Sequence, residues 1–430
     1  MTSPDPQLDS AASTSGLLTW GHLAPAVKLI TVAFILANLG GSMIYDQLAV
    51  YLTTILKADV DEIGIFFLYA STISTIMLIL GGWVSDAIGH FRGLALGSVL
   101  GMIGAFLMWW APTWPIAMVC YTFNLMGMAL VGPSATAAIT ELTPPEQRAR
   151  TFGLTSSIFQ LTSIFGPLTG GYLIAHWGWH GVFLFNACLM GCATLLRSGI
   201  ARYETQTLRR PRWRGLGANL LGFYGALITG TAIGVIMLVD ISNDVQWAMT
   251  NNLRSLYLER EILFGPELRG ALFTVTGIAA LPAMLLGGWL GDRIGELRTM
   301  IIGVAVGAVG YLLFATQHSV IGLALPFACW GIVGGLLEPS FRSLISKLVP
   351  RERMAVAYGT ILGSTNLIAL PATRLGPWLY DHYTPQTPFL LALGSQCVVL
   401  VLLILTAGRL QQSIATGTAA AAAAAVVPLQ

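Results

Sequence analysis

Charge is what this chain has least of. Of its 430 residues, 10% are charged, where a soluble globular domain carries about 25%. The formal net charge of +2 singles out no polyanionic partner, and no nucleic acid is expected. Cysteine is scarce too. The five cysteines (Cys120, Cys188, Cys192, Cys329 and Cys397) all fall inside apolar runs. They show neither metal-ligand nor disulfide spacing, so they read as small core residues, and no metal or cofactor is expected. No grouping of Cys, His or Ser suggests catalysis, which argues against an enzyme. No G-x-x-x-x-G-K-[ST] loop is present, so nothing supports drive by ATP. No Lys or Arg precedes Lys28, which excludes a signal peptide and makes the first apolar run the first membrane helix.

What the chain has instead is hydrocarbon. It is 55% hydrophobic, with a mean hydropathy of +0.72, and its apolar runs are long enough to span a bilayer as helices. The pattern predicts an all-α membrane protein with twelve transmembrane segments, near 26–54, 62–88, 92–111, 114–141, 147–175, 181–200, 226–257, 268–292, 298–316, 319–347, 354–379 and 387–408. Residues 1–25 read as a disordered tail, 26–200 as a first six-helix bundle and 201–225 as a basic linker. Residues 226–408 read as a second six-helix bundle and 409–430 as an Ala-rich tail. The 215–229 stretch reads either as linker or as an interfacial helix.

Basic residues set the expected orientation. Arg92, Arg148, Arg150, Arg202, Arg209, Arg210, Arg212, Arg214, Arg298, Arg351 and Arg353 follow even-numbered segments, against only Lys57, Arg260 and Arg269 after odd ones. The positive-inside rule then puts both termini in the cytoplasm. Short outer loops without an N-x-[ST] site point to a bacterial inner membrane.

One stretch occurs twice. Gly81-Gly82-Trp83-Val84-Ser85-Asp86-Ala87-Ile88-Gly89-His90-Phe91-Arg92 returns as Gly287-Gly288-Trp289-Leu290-Gly291-Asp292-Arg293-Ile294-Gly295-Glu296-Leu297-Arg298, Asp86 and Asp292 standing 206 residues apart. Tyr51, Pro133 and Gly153 keep the same offset to Tyr257, Pro339 and Gly359. A fixed period over so much sequence means two structural halves of like design.

Ionisable and polar residues inside membrane segments are costly and should face a cavity or a partner. On the seventh segment Asp240, Asn243, Asp244, Trp247, Asn251 and Arg254 share one helical face. The matching face of the first segment holds Asn38, Ser42 and Tyr45, with Asp46 at its edge. Asp46 reads either as a cavity residue or as one at the membrane boundary. Related polar faces on two repeats are expected where a site lies between them. Glu338 and Arg342, one turn apart on the tenth segment, can form a structural pair or a functional one. Arg374 sits near an outer boundary, where a long side chain can snorkel.

These residues resemble the major facilitator superfamily of secondary transporters. Its loop pattern G-x-x-x-D-R-x-G-R-[RK] is met by Gly82, Asp86, Gly89 and Arg92 in the first copy and by Gly288, Asp292, Arg293 and Gly295 in the second. Ala87 and His90-Phe91 depart from it. Gly166-Pro167-Leu168-Thr169-Gly170-Gly171 looks like the G-P-x-x-G-G element of proton-exchanging exporters, although Phe123 stands where the exporter pattern has an arginine. The resemblance implies that the first, fourth, seventh and tenth helices line a cavity. It also implies that Asp86, Arg92 and Glu141 latch the cytoplasmic side, with Lys347 at the repeat position of Glu141. A lipid bilayer, a small-molecule substrate and protons are the implied partners of a monomer working by alternating access.

The function expected first is proton-coupled export of small organic molecules, since a carboxylate in low dielectric can cycle between neutral and charged forms. Asp240 or Asp244 would carry the proton, and Trp247 and Tyr45 would offer aromatic surface. The alternatives are a proton-coupled importer of a polar or anionic nutrient, with Arg254 or Arg342 reading the anion, and a non-transporting membrane sensor or assembly factor.

Overall fold

The computed structural model describes residue 20 and residues 23–144, 147–203, 232–348 and 364–426. The expected linker 201–225 beyond residue 203, the seventh segment before residue 232, the eleventh before residue 364, and Gly359 lie outside the described residues, as do the side chains of Asp86 and Lys347 and the surroundings of Gly82.

The first apolar run is two helices, α1 (Pro25–Tyr45) and α2 (Leu48–Thr54), joined through Asp46 and Gln47. The sequence pattern had made them one. Then follow α3 (Val60–Ile88), α4 (His90–Trp110), α5 (Trp114–Leu142) and α6 (Arg148–Ile200). The second half holds α7 (Ala232–Arg260), α8 (Pro266–Ile294), α9 (Glu296–Thr316), α10 (Val320–Leu348), α11 (Ala372–His382) and α12 (Thr387–Val426). Among the described residues, nine helices are long and apolar enough to cross a membrane. α6 has 53 residues, about 80 Å at the helical rise, well over twice the hydrocarbon thickness of a bilayer. Gly178, at φ 67° and ψ −179°, breaks it, so α6 is two crossings with a bend of one residue. α12 continues to Val426, through the stretch expected to be mostly a tail.

Local sequence explains the helix ends. Pro25 and Pro266 open α1 and α8 at positions whose N–H needs no partner. The Asp59 backbone N–H donates to the Glu62 carboxylate (2.8 Å) at the start of α3. Gly89 and Gly295 end α3 and α8 with almost the same backbone, φ 97° and ψ 148° against φ 90° and ψ 147°. Only glycine reaches that region without strain, which is why both copies of the repeated stretch keep it.

The backbone carries much of the repeat, although the break at Asp46–Gln47 has no counterpart in the continuous α7. α3 and α8 each have 29 residues, and α4 and α9 each have 21. The turns after α2 and α7 match as well: Lys57 and Leu263 take φ 56° and φ 62°. Ala58 N–H donates to the Leu52 carbonyl as Phe264 N–H does to that of Leu258, the same left-handed helix stop twice.

The core is distributed unevenly. At the end of the molecule bearing those two turns, residues of both halves form one cluster that includes Tyr51, Phe66, Leu253, Tyr257, Phe314 and Phe389. Toward the other end, which carries the G-G-W-x-x-D-x-I-G turns and is called the motif end below, the clusters separate. Ile30, Phe91 and Leu94 belong to the first half alone, and Ile236, Met300 and Leu403 to the second. Among the described residues the apolar core is therefore shared by the halves at one end and divided between them at the other.

The turn geometry gives a test with opposite signs. Gly295→Ala should cost about 1–3 kcal/mol through backbone strain and lower the apparent melting temperature of the purified protein. Gly288→Ala, inside α8 with nothing within 4 Å of a new methyl, should be neutral or stabilise by up to about 1 kcal/mol. Equal shifts in one direction would remove the strain argument.

Candidate functional site

Among the described residues, two long seams and a shorter contact of α2 on α7 join the halves. In the first, α6 lies on α8. Proline at 167 removes an N–H, so the Ser163 carbonyl loses its helical donor, and that carbonyl lies against Gly277 of α8. The Thr274 hydroxyl donates to the Ile164 carbonyl (2.9 Å). Gly171 faces Pro266 and Gly270, while Gly166 and Gly170 face Ser42 and Met43 of α1. The G-P-x-x-G-G element is thus wedged between α1 and α8, and its missing side chains let backbones touch.

In the second seam α3 meets α11. Arg374 Nη2 donates to Asp61 Oδ2 (3.2 Å). Arg374, expected near an outer boundary, is exposed, and a cross-half acid lies within its reach. Beside the first seam the buried Arg269 donates from Nε to Gln47 Oε1 (3.2 Å) and from Nη1 to the Phe264 carbonyl (2.9 Å). The Gln47–Arg269 and Asp61–Arg374 ties sit at the end opposite the motif turns, whereas Ser163 meets Gly277 near mid-helix.

Behind them lies a cavity of about 490 Å³. α1 contributes Asn38, Ser42 and Tyr45, the α1–α2 join contributes Asp46, and α7 contributes Trp247, Asn251 and Arg254. Tyr45 and Asn251 are repeat equivalents, and they meet: Asn251 Nδ2 donates to Tyr45 Oη (3.4 Å). Arg254, 2% exposed, is held between two indoles, its guanidinium carbon 3.7 Å from the Trp330 ring centre and 4.8 Å from that of Trp247. Thr250 and Tyr311 accept from it. Desolvated cation–π contacts of this kind contribute about 2 kcal/mol, which helps to hold a charge in low dielectric.

The polar face of α7 does not reach the cavity as one stripe. Asp244 lies in an adjoining space of about 190 Å³ with Ser71, Ser74 and Asn366, beyond a partition formed by Tyr45, Trp247 and Asn251. Thr365 is its hydrogen-bond partner. Asp240 and Asn243 sit with Glu338 in a third space of about 80 Å³. The expectation that Asp240 and Asn243 share the cavity with Arg254 is corrected: the helix carries them toward the motif end, past the cavity. Glu338 and Arg342 pair at 2.6 Å and are both exposed. Of the four helices implied to line the cavity, α1, α5 and α7 do so, joined by α6 and α8. α10 supplies Trp330 to Arg254.

At the motif end Glu141 lies 3.4 Å from His90, and His90 in turn meets Ser85. Arg92 donates to the carbonyl of Ile88, and Arg293 lies over the Trp289 ring. Asp292 lies in the last turn of α8. Sequence reasoning passed over Asn124, Gln160 and Asn186, which line the cavity, because single amides in apolar helices carry no repeat or charge signal. It also passed over Arg197 and the Gln47–Arg269 tie.

A helical membrane protein whose repeat-related halves enclose a central cavity is built as a transporter. The chain belongs to the Major Facilitator Superfamily, whose family model matches residues 30–239 and 220–428. It is 27% identical over 307 residues to the class C tetracycline resistance protein of Escherichia coli, covering 70% of this chain and 75% of that one. It is 25% identical over 249 residues to a homologue of the multidrug resistance efflux pump PmrA from Lactococcus lactis, covering 56% of this chain and 59% of that one. Among solved structures it is similar to the peptide transporter POT in complex with sulfate, with TM-score 0.76, 14% identity and coverage of 96% and 99%. It is also similar to the nucleoside transporter NupG, with TM-score 0.70, 17% identity and coverage of 89% and 98%. The two structures share its fold. The protein is an integral membrane transporter and not an enzyme.

The cross-half ties should differ in weight. Gln47→Ala leaves the buried Arg269 short of an acceptor and should cost about 1–3 kcal/mol, whereas the exposed Asp61–Arg374 pair is worth about 0–1 kcal/mol. With spin labels at positions 55 and 260 in a cysteine-free background, Gln47→Ala should add a longer inter-half distance more strongly than Asp61→Asn. The reverse order would show that the outer pair governs closure.

Proposed function

We propose that the protein is a proton-coupled exporter of small organic molecules working by alternating access, with the motif end and both termini in the cytoplasm. In that orientation the apolar cluster shared by both halves lies toward the outside, and the clusters confined to one half lie toward the cytoplasm. The observation that carries the reading is the series Asp46, Asp244 and Asp240, with Asp46 on the cavity and the two α7 acids in the spaces beyond it. Among the described residues no cation forms an ion pair with Asp240 or Asp244. Carboxylates that no salt bridge fixes in the charged form can take up and release protons. The efflux names of the relatives support export, as does the G-P-x-x-G-G element at the seam. Asp86, Arg92 and Glu141 would latch the cytoplasmic side in the opposite state, and Arg202–Arg214 would link residues 26–200 to residues 226–408. Arg254 on the cavity favours a second reading, import of an anionic nutrient, and the direction of flux separates the two.

Sealed vesicles with an imposed proton gradient test the proposal, with tetracycline and ethidium as probes. Asp240→Asn or Asp244→Asn should abolish accumulation against a gradient while leaving energy-independent exchange measurable. Trp247→Ala should raise the half-saturating probe concentration and keep the proton dependence. Normal gradient-driven accumulation in both Asn variants would move the coupling group elsewhere, with Asp46 and Glu338 next in line.

A further inference from the structure

A side pocket of about 90 Å³ opens off the first-half wall of the cavity, between α1, α4, α5 and the second arm of α6. Asn38, Asn124, Met128 and Met190 belong to both spaces, so the cavity leads into it. Arg197 forms part of its wall and is 2% exposed. One guanidinium nitrogen, Nη1, donates to Ser98 Oγ (2.8 Å), and the guanidinium carbon lies 4.5 Å from the centre of the Phe34 ring. The Ser98 hydroxyl is itself donated to the Leu94 carbonyl. Among the described residues, Nε and Nη2 have no hydrogen-bond partner and no carboxylate pairs with Arg197.

A guanidinium taken out of water and given one neutral acceptor and a ring is under-compensated. What completes it is an anion, and its planar fork matches the two oxygens of a carboxylate. The pocket has room for such a group and not for a ring system, so the body of the ligand would stay in the main cavity.

We propose that Arg197 and this pocket form a carboxylate subsite for the transported solute, entered from the main cavity past Asn38 and Asn124. The subsite depends on the central cavity being where solute binds and not on proton coupling. Its test is binding to purified full-length protein without any gradient, so the two can fail separately.

At fixed chloride, sodium benzoate should raise the apparent melting temperature in a saturable way, because a ligand of the native state stabilises it. Benzamide, its neutral isostere, and inorganic phosphate should not. Arg197→Gln should weaken the benzoate response about ten-fold or more, and Arg197→Lys, which keeps the charge and a donor to Ser98, should fall between. Because Arg197→Gln alters a buried contact with Ser98, a second measurement uses the unaltered chain: benzoate should protect Arg197 from phenylglyoxal, read by peptide mass spectrometry. An equal shift with benzamide, or a response to phosphate alone, would overturn the subsite. A response kept by Arg197→Gln but lost in Arg254→Gln would place the anion in the main cavity and overturn it too. No response to benzoate would leave Arg197 a structural residue.

Discussion

The carbonyl of Ser163 has no donor within its own helix, because residue 167 is a proline. In hydrocarbon such a group is tolerated only against protein, and here it lies against Gly277 of the other half. That contact needs a bare backbone on both sides, which the glycines of α6 and α8 supply. The seam in turn brings α1 and α7 within reach of one another, so that Tyr45 and Asn251 touch and a cavity is enclosed behind them. The site is therefore a consequence of how two helices can approach, and its polar residues are placed by a packing constraint that none of them makes.

Three buried arginines show how charge is kept in this environment. Arg269 has two oxygen acceptors and serves the seam. Arg254 has two indole faces and hydroxyl oxygens and serves the cavity wall. Arg197 has one hydroxyl and one phenyl ring. The order of compensation is also an order of availability to a ligand: the better a guanidinium is satisfied by the protein, the less an incoming anion gains from it.

The repeat was legible at once, since the offset of 206 between Asp86 and Asp292 recurs in helix lengths, in Gly89 and Gly295, and in the turns at Lys57 and Leu263. Backbone register follows from local signals, and these occur twice. The break after residue 175 was expected and falls at Gly178. That a single residue would make it was not legible, because a glycine in an apolar run more often permits packing than ends a helix. Nor could the placing of Asp240 be read. Helical periodicity fixes the face a residue occupies, but depth along the helix relative to a cavity depends on where the partner helices end. Arg374 was expected near an outer boundary, and only the fold brings Asp61, more than three hundred residues earlier, beside it.

The two ends of the molecule are held by interactions of unequal kind. At the closed end a shared apolar cluster and a buried arginine–glutamine contact join the halves. Toward the motif end the clusters divide by half, and the Glu338–Arg342 pair is exposed and lies within one helix, worth about 0–0.5 kcal/mol. Buried contacts lose most of their worth on a small separation, because packing falls off steeply with distance, whereas exposed charges can exchange partners for little. An equilibrium between two states needs near balance, so whatever closes the motif end must match a desolvated seam. Exposed ion pairs alone are too weak for that, and the division of the apolar clusters there marks the surface that would have to close.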